Sequence, residues 1–314
     1  MLEIRENIVL ADHTTFHIGG PARYFAVVSN LEELKEALEF AKKNKLSYFI
    51  LGGGSNILVS DQGYNGLAIK LNNSTVKKKN NLVEIGAGTA LSKALGDTLG
   101  GGLLGLEWAA GIPGTIGGAV YGNAGAYGGE MSQNVKEVSI LRQGKVKKLK
   151  NKLCHFTYRS SIFKEAGADN HDIIFSVTLE LKKADAEEIS QAKEAIKENL
   201  KKRDSKFQGF SAGSTFKNIE MAEDEIKEFK NKFPEMPDEF VSYKKIPTAW
   251  LIDQCDLSGK AMGGAQVSQS HAGIVINTGQ ATAENIIMLI SYIKQQVRDK
   301  FGVQLREEIE YVGF

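Results

Sequence analysis

LGGGSNILVSDQG, residues 51–63, sets three consecutive glycines directly behind a short apolar run. Tyr48, Phe49, Ile50 and Leu51 are aromatic, β-branched and aliphatic, the composition of a short buried strand that ends at the first glycine. Glycine reaches φ > 0 and carries no Cβ, so a run of three marks a loop that another backbone or a ligand approaches closely, often a phosphate. Two phosphate-binding patterns fail here. A Walker loop needs Lys and then Ser or Thr behind its last glycine, where Asn56 and Ile57 stand; a dinucleotide loop opens a helix, whereas Asn56-Ile57-Leu58-Val59 reads as another strand. A tight strand-to-strand turn without a ligand accommodates the same residues.

The chain around this loop has 314 residues, 42% apolar and 25% charged, with formal net charge +1, enough for two or three globular domains. Lys77-Lys78-Lys79 and Lys201-Lys202-Arg203 are local clusters in a balanced chain and read as solvated faces, so no nucleic-acid partner is expected. Cys154 and Cys255 match no zinc spacing and the five histidines are scattered, so no metal site is expected. The N-terminal residues lack a basic head followed by an unbroken apolar run, which points to the cytoplasm. From Trp108 to Gly129 there is no charged residue, but glycines crowd out large aliphatics, so the stretch reads as a loop region with no membrane insertion.

Periodicity organises the rest. Residues 29–44 have a Ser/Asn cap, early glutamates and Leu31, Leu34, Ala37, Leu38 and Ala41 at helical spacing. Strands are expected at 48–51, 66–71, 82–85 and 138–141, with a helix near 91–99. Residues 184–203 form an amphipathic connector with Ile189, Ala192, Ile196 and Leu200 on one stripe. Further helices fall near 222–232, 246–254 and 281–300, the last with Ile286, Leu289, Ile290, Ile293 and Val297 on one face. Alternation from Val303 to Val312 predicts a closing strand with Leu305, Ile309 and Tyr311 on its apolar face and Glu308 on its charged face; Glu307 falls on the apolar one.

GIPGTIGGAVYGNAGAYGGE, residues 111–130, has more φ-permissive positions than a structural loop requires. Amides freed by glycine suit a diphosphate, and Ile112, Ile116, Val120 and Tyr127 could flank a flat ring, so nucleotide or flavin binding is expected. Two other segments, FTYRSSIFK (156–164) and SAGSTFKN (211–218), combine a cation with hydroxyls. Arg159 could clamp a carboxylate with its planar fork or be a surface ion pair in a strand; Ser214 could be a positioned acid or base or a turn former.

These segments, in order with TTFHIGGPA (14–22), AWLIDQ (249–254) and LREEIEYVG (305–313), closely resemble the UDP-N-acetylenolpyruvoylglucosamine reductase family over nearly the whole chain. The resemblance implies an α+β protein. Its FAD-binding fold of the vanillyl-alcohol-oxidase (PCMH) type has two subdomains, 1–71 and 72–202, followed by an α+β substrate-binding domain at 203–302; the terminal strand 303–314 is a candidate to return to the FAD region. It also implies that the two glycine segments hold the FAD diphosphate, through Gly52, Gly53, Gly54, Ser55 and Asn56 on one side and Ile112, Pro113, Gly117, Gly118, Asn123, Gly125, Ala126 and Tyr127 on the other. No cysteine or histidine lies in either segment, so non-covalent FAD is expected.

The implied activity is NADPH-dependent, FAD-mediated reduction of UDP-N-acetylglucosamine enolpyruvate to UDP-N-acetylmuramate in peptidoglycan precursor synthesis, by a monomer. A hydride reaches C3 of the enolpyruvyl group and charge builds at C2. By the family match Arg159 stabilises that charge, Glu308 assists at the same carboxylate, and Ser214 donates the proton to C2, helped by a cation such as Lys206 or Lys217. Tyr158, Lys217, Asn218, Lys260 and Gln266 are the implied substrate contacts. A flavin oxidase of the same fold and a non-catalytic flavin or nucleotide carrier share the glycine segments but need neither Ser214 nor Glu308. The chain departs from the family pattern at Ile219, at Ser205 with Lys206, and at Asp256, where a glycine is common; its short Arg159-to-Ser214 spacing fits the family's shorter form.

Overall fold

The computed structural model describes residues 2–165, 172–206 and 209–314. The chain divides into two compact units. The first comprises Met1–His13, Pro21–Ser55 and Gly63–Asp204; the second comprises Thr14–Gly20, Asn56–Gln62 and Ser205–Phe314. The expected boundary at 71/72 therefore runs inside the first unit, and the one at 202/203 lies close to the break at Asp204.

Two sheets and one continuous core make up the first unit. Ile4–Val9, Pro21–Val28, Tyr64–Leu71 and Tyr48–Leu51 lie side by side in that order, the first pair antiparallel and the rest parallel. Parallel strands are covered on both faces, which is why Leu67, Ala68 and Ile69 form an unbroken buried run in the strand between two parallel partners. The helix Leu31–Lys43 follows its sequence signals: the Asn30 side chain accepts from the Glu33 N–H at 2.9 Å, and Leu34, Ala37 and Ala41 face the core.

An antiparallel sheet of five strands follows, in the order Lys145–Lys150, Val135–Arg142, Ile173–Glu180, Leu82–Gly86 and Val76–Lys79. Its inner residues Val83, Ile85, Val138, Ile140 and Val177 join Ala26 and Ile69 of the first sheet in a single buried cluster. Both outer strands are lysine-rich, with Lys77, Lys78 and Lys79 on one and Lys145, Lys147, Lys148 and Lys150 on the other. Charge at a sheet edge discourages pairing with another chain, which gives the first lysine cluster a structural reason. The second cluster lies on the helix Ala186–Lys206, whose expected stripe is buried at Ala192 and ends exposed at Leu200.

The second unit is organised by the helix Ala283–Phe301. Ile286, Leu289, Ile290, Ile293 and Val297 are all buried, each contributing about 1.5–3 kcal/mol by removal from water. Around it stand a three-stranded sheet (Ala261–Met262, Ala265–Val267, Val275–Asn277) and the helices Glu223–Lys232 and Thr248–Asp253.

Two expectations need correction. The stretch from Trp108 to Gly129 is not only loop: Ile116–Tyr121 is a short helix, with the Thr115 hydroxyl accepting from the Gly118 N–H at 3.3 Å. The cap and the buried Ile116, Ala119 and Val120 outweigh the poor helix propensity of Gly117 and Gly118. The closing strand is also shorter than its alternation suggests, running only from Glu310 to Val312. Residues before it pair with a different partner, through the Phe216–Glu307 bridge, while Glu310–Val312 pairs in parallel with Ile57–Val59. Leu305 and Ile309 are buried as expected, but Tyr311 is 40% exposed.

Candidate active site

In the first unit the two glycine segments meet backbone to backbone. A Cβ on Gly53 would stand 2.7 Å from the Gly114 Cα, and one on Gly52 would stand 2.7 Å from the Thr115 hydroxyl. The Ser55 hydroxyl donates to the Pro113 carbonyl at 3.0 Å. The main-chain N–H groups of Gly53, Gly54, Ser55, Gly114 and Thr115 make no hydrogen bond among the described residues. Unengaged amides on two touching loops are candidate anion donors, which fits the diphosphate of FAD.

Gly118 presents an open side, since an added Cβ would meet nothing nearer than the Thr115 hydroxyl at 3.6 Å, whereas Gly117 is packed against Ala87. A third segment, unremarked in the sequence reading, completes this packing: Ile116 donates to the Thr89 carbonyl at 2.9 Å, Gly117 to the Ala87 carbonyl at 2.8 Å, and Leu91 to the Gly114 carbonyl at 3.0 Å. The Thr89 hydroxyl is fully buried with no hydrogen-bond partner among the described residues. The glycines at 86 and 88 were the signal that could have marked it.

Arg159 sits in a turn, which corrects its placement in a strand. Thr157 and Ser160 exchange both main-chain hydrogen bonds, at 3.1 and 3.2 Å, and Arg159 takes the left-handed conformation with φ +53°. A side chain with a Cβ costs about 1–2 kcal/mol there, so the turn holds Arg159 against a local preference. Its guanidinium donates to the Gly125 carbonyl at 2.6 Å and lies 5.2 Å from the Tyr158 ring centroid. The buried Asn123 secures the turn: its amide donates to the Thr157 carbonyl at 2.9 Å while its side-chain oxygen accepts from Ser132 at 3.0 Å. Gly125 and Ala126 pair with Gly129 and Glu130 across a tight hairpin, and Tyr127 at its tip donates to the Asn199 carbonyl at 3.2 Å. Ile112 packs against the core.

Ser214 and Glu308 belong to the second unit, on neighbouring segments. The Glu308 N–H donates to the Thr215 carbonyl at 2.8 Å, the Lys217 N–H to the Arg306 carbonyl at 2.9 Å, and Phe216 bridges Glu307. Ser214 is partly buried and follows Gly213, whose φ of +76° turns the chain into this pairing. Thr215 is held from the other side by the Gly273 carbonyl and the Val275 N–H, at 2.8 and 3.0 Å. A hydroxyl and a carboxyl on adjacent segments can donate a proton and hold a carboxylate.

The alternation left Glu307 on an apolar face without a reason, and the structure supplies one. Its carboxylate takes the Lys294 ammonium at 2.9 Å, from the helix Ala283–Phe301. Asn218 accepts from the Thr248 N–H at 3.2 Å, Gln266 donates to the Gly259 carbonyl at 3.1 Å, and the Lys260 ammonium lies 5.2 Å from the Tyr292 ring centroid. The side chain of Lys206 lies outside the described residues. Among the described residues no group of His, Cys, Asp and Glu could hold a metal ion, and no helix is long and apolar enough to cross a membrane.

Residues 22–150 match the family model described as FAD binding domain, and residues 204–312 match that of UDP-N-acetylenolpyruvoylglucosamine reductase, C-terminal domain. Similar chains include the UDP-N-acetylenolpyruvoylglucosamine reductases of Solibacter usitatus, 35% identical over 99% of this chain and 97% of that one, and of Anoxybacillus flavithermus, 36% identical over 99% and 94%. The chain belongs to the UDP-N-acetylenolpyruvoylglucosamine reductase family. The crystal structure of the reductase from Thermus caldophilus superposes on it with TM-score 0.77 at 30% identity, covering 99% of this chain and all of that one. The α+β class and an FAD-binding domain ahead of a C-terminal domain are thereby shown.

Two departures from the reductase pattern have readable consequences. Asp256 adopts φ +56°, the left-handed region that favours glycine and that aspartate tolerates at some cost. Ile219 takes a strand position paired with Ile246.

Proposed function

We propose that this chain is an FAD-dependent reductase that uses NADPH to convert UDP-N-acetylglucosamine enolpyruvate to UDP-N-acetylmuramate, a peptidoglycan precursor. The observation that supports the reading is the pairing of residues 215–217 with 306–308, which brings the segments carrying Ser214 and Glu308 alongside each other in a member of this family. Cofactor binding alone needs neither residue.

The unengaged amides of residues 53–55 and 114–115 are assigned to the FAD diphosphate, with no covalent link. Bound FAD supplies two-electron redox chemistry that connects oxidation of NADPH to saturation of the enolpyruvyl double bond. The chain's own residues handle the substrate's charge and proton. Arg159 stabilises the negative charge that spreads onto the carboxylate, its fork suited to two parallel hydrogen bonds. Glu308 assists there as a neutral acid or hydrogen-bonding group, because two carboxylates would repel. Ser214 gives its proton to C2; a weak acid works here because the developing enolate is strongly basic, and Lys217 is assigned to hold the resulting oxyanion. Tyr158, Asn218, Lys260 and Gln266 are assigned to substrate binding. On this reading the enzyme works in the cytoplasm, as a monomer.

Incubation with NADPH and the enolpyruvyl sugar nucleotide under argon tests the reaction. The product should be heavier by two hydrogens, with NADPH consumed in equal amount. Unchanged sugar nucleotide would sink the proposal. Acid precipitation should release all flavin to the supernatant; yellow protein in the pellet would overturn the non-covalent assignment.

A further inference from the structure

Asn56 is the residue at which the chain enters the second unit after the first glycine loop. Its side-chain amide donates to the Glu308 carbonyl at 3.0 Å, and its own carbonyl accepts from the Glu310 N–H at 2.9 Å. The Glu308 N–H donates to Thr215. Both main-chain polar groups of Glu308 are therefore taken up, one by the segment behind Ser214 and the other by Asn56.

Register matters at this position more than elsewhere. A slip of one residue in an extended segment exchanges its two faces. Here the exchange would put Glu307, already committed to Lys294 at 2.9 Å, where Glu308 stands. The bonds from Asn56 to residues 308 and 310 oppose that slip, and the side-chain bond needs an N–H donor. We propose that Asn56 is a positioning residue for Glu308, fixing the backbone from which its carboxyl projects. Its resemblance-based assignment as a cofactor contact does not account for these bonds. The proposal rests on the role given to Glu308 above.

The test uses Asn56→Leu, which keeps roughly the size and removes the donor without adding a charge, beside Asn56→Ala. In the variants compared at saturating FAD, reduction by NADPH should be slowed far less than reoxidation by the enolpyruvyl sugar nucleotide, which should slow by about 10- to 100-fold, the range expected for an unmade part-buried hydrogen bond. In the cofactor-free chain, hydrogen exchange of the amides at 308–312 should accelerate by about tenfold, with little change in the helix Ala283–Phe301. Should Asn56→Ala fail to fold, Asn56→Leu carries the same readouts. Loss of FAD affinity with both half-reactions slowed together would overturn the proposal in favour of a cofactor contact, and unchanged exchange and unchanged reoxidation would overturn it outright. If the unaltered protein is reduced by NADPH but not reoxidised by the sugar nucleotide, the reductase reading fails, and the exchange result alone judges whether Asn56 holds the backbone of Glu308.

Discussion

At residues 53–55 and 114–115 the groups offered to a ligand are main-chain N–H donors, and side chains are absent or small. At residues 215–217 and 306–308 the main chain is engaged in pairing, and the groups on offer there and at the adjoining Ser214 are side chains. The first arrangement is damaged by adding atoms and the second by removing them. It follows that substitutions in the two regions should fail in different ways, one in holding the cofactor and the other in the chemistry on the substrate.

The largest effect is expected at Ser214. Ser214→Ala should leave reduction of the flavin by NADPH nearly intact and slow reoxidation by the enolpyruvyl sugar nucleotide by at least about 10²- to 10⁴-fold, the usual loss for a positioned proton donor. Equal slowing of both half-reactions, measured by anaerobic rapid mixing, would reduce Ser214 to an architectural residue. Arg159→Lys should impair the same half-reaction less, since a point charge keeps the sign but not the fork.

Gly53→Ala should show the opposite signature. Its Cβ would stand 2.7 Å from the Gly114 Cα, a backbone atom that moves only with its loop. Overpacking of this kind costs about 1–3 kcal/mol, so FAD affinity should drop by roughly 5- to 150-fold in a fluorescence titration. At saturating FAD, reoxidation by the sugar nucleotide should remain near that of the unaltered protein. Unchanged affinity would mean the touching loops are not the diphosphate site.

The smallest effect lies outside both regions. Asp256→Gly relieves a left-handed conformation and should raise thermal stability by at most about 1 kcal/mol, offset in part by the greater freedom of glycine in the unfolded chain. Either half-reaction moving with it would show that this turn does more than end a helix.

How much of this was legible before the structure depended on the material each region uses. The glycine loops show themselves in composition, because glycine lets two backbones approach closely with no Cβ between them. The helix Ala283–Phe301 is likewise written in its spacing, all five expected core residues being buried. Glu308 is the opposite case: on an alternating strand it looks like any solvated carboxylate, and only family resemblance selected it. Its neighbour Glu307 looked misplaced because Lys294, its partner, lies thirteen residues upstream on a helix. The left-handed turn at Arg159 was hidden for a related reason, since it is imposed by Thr157, Ser160 and Asn123 and not by any turn-forming residue at that position.

The most direct test of the account is anaerobic reoxidation of the NADPH-reduced protein by the enolpyruvyl sugar nucleotide, followed by flavin absorbance. The account predicts that the colour bleached by NADPH returns on adding the sugar nucleotide with no oxygen present. Colour that returns only when oxygen is admitted would contradict it and identify a flavin oxidase, and colour that NADPH never bleaches would identify a flavin carrier.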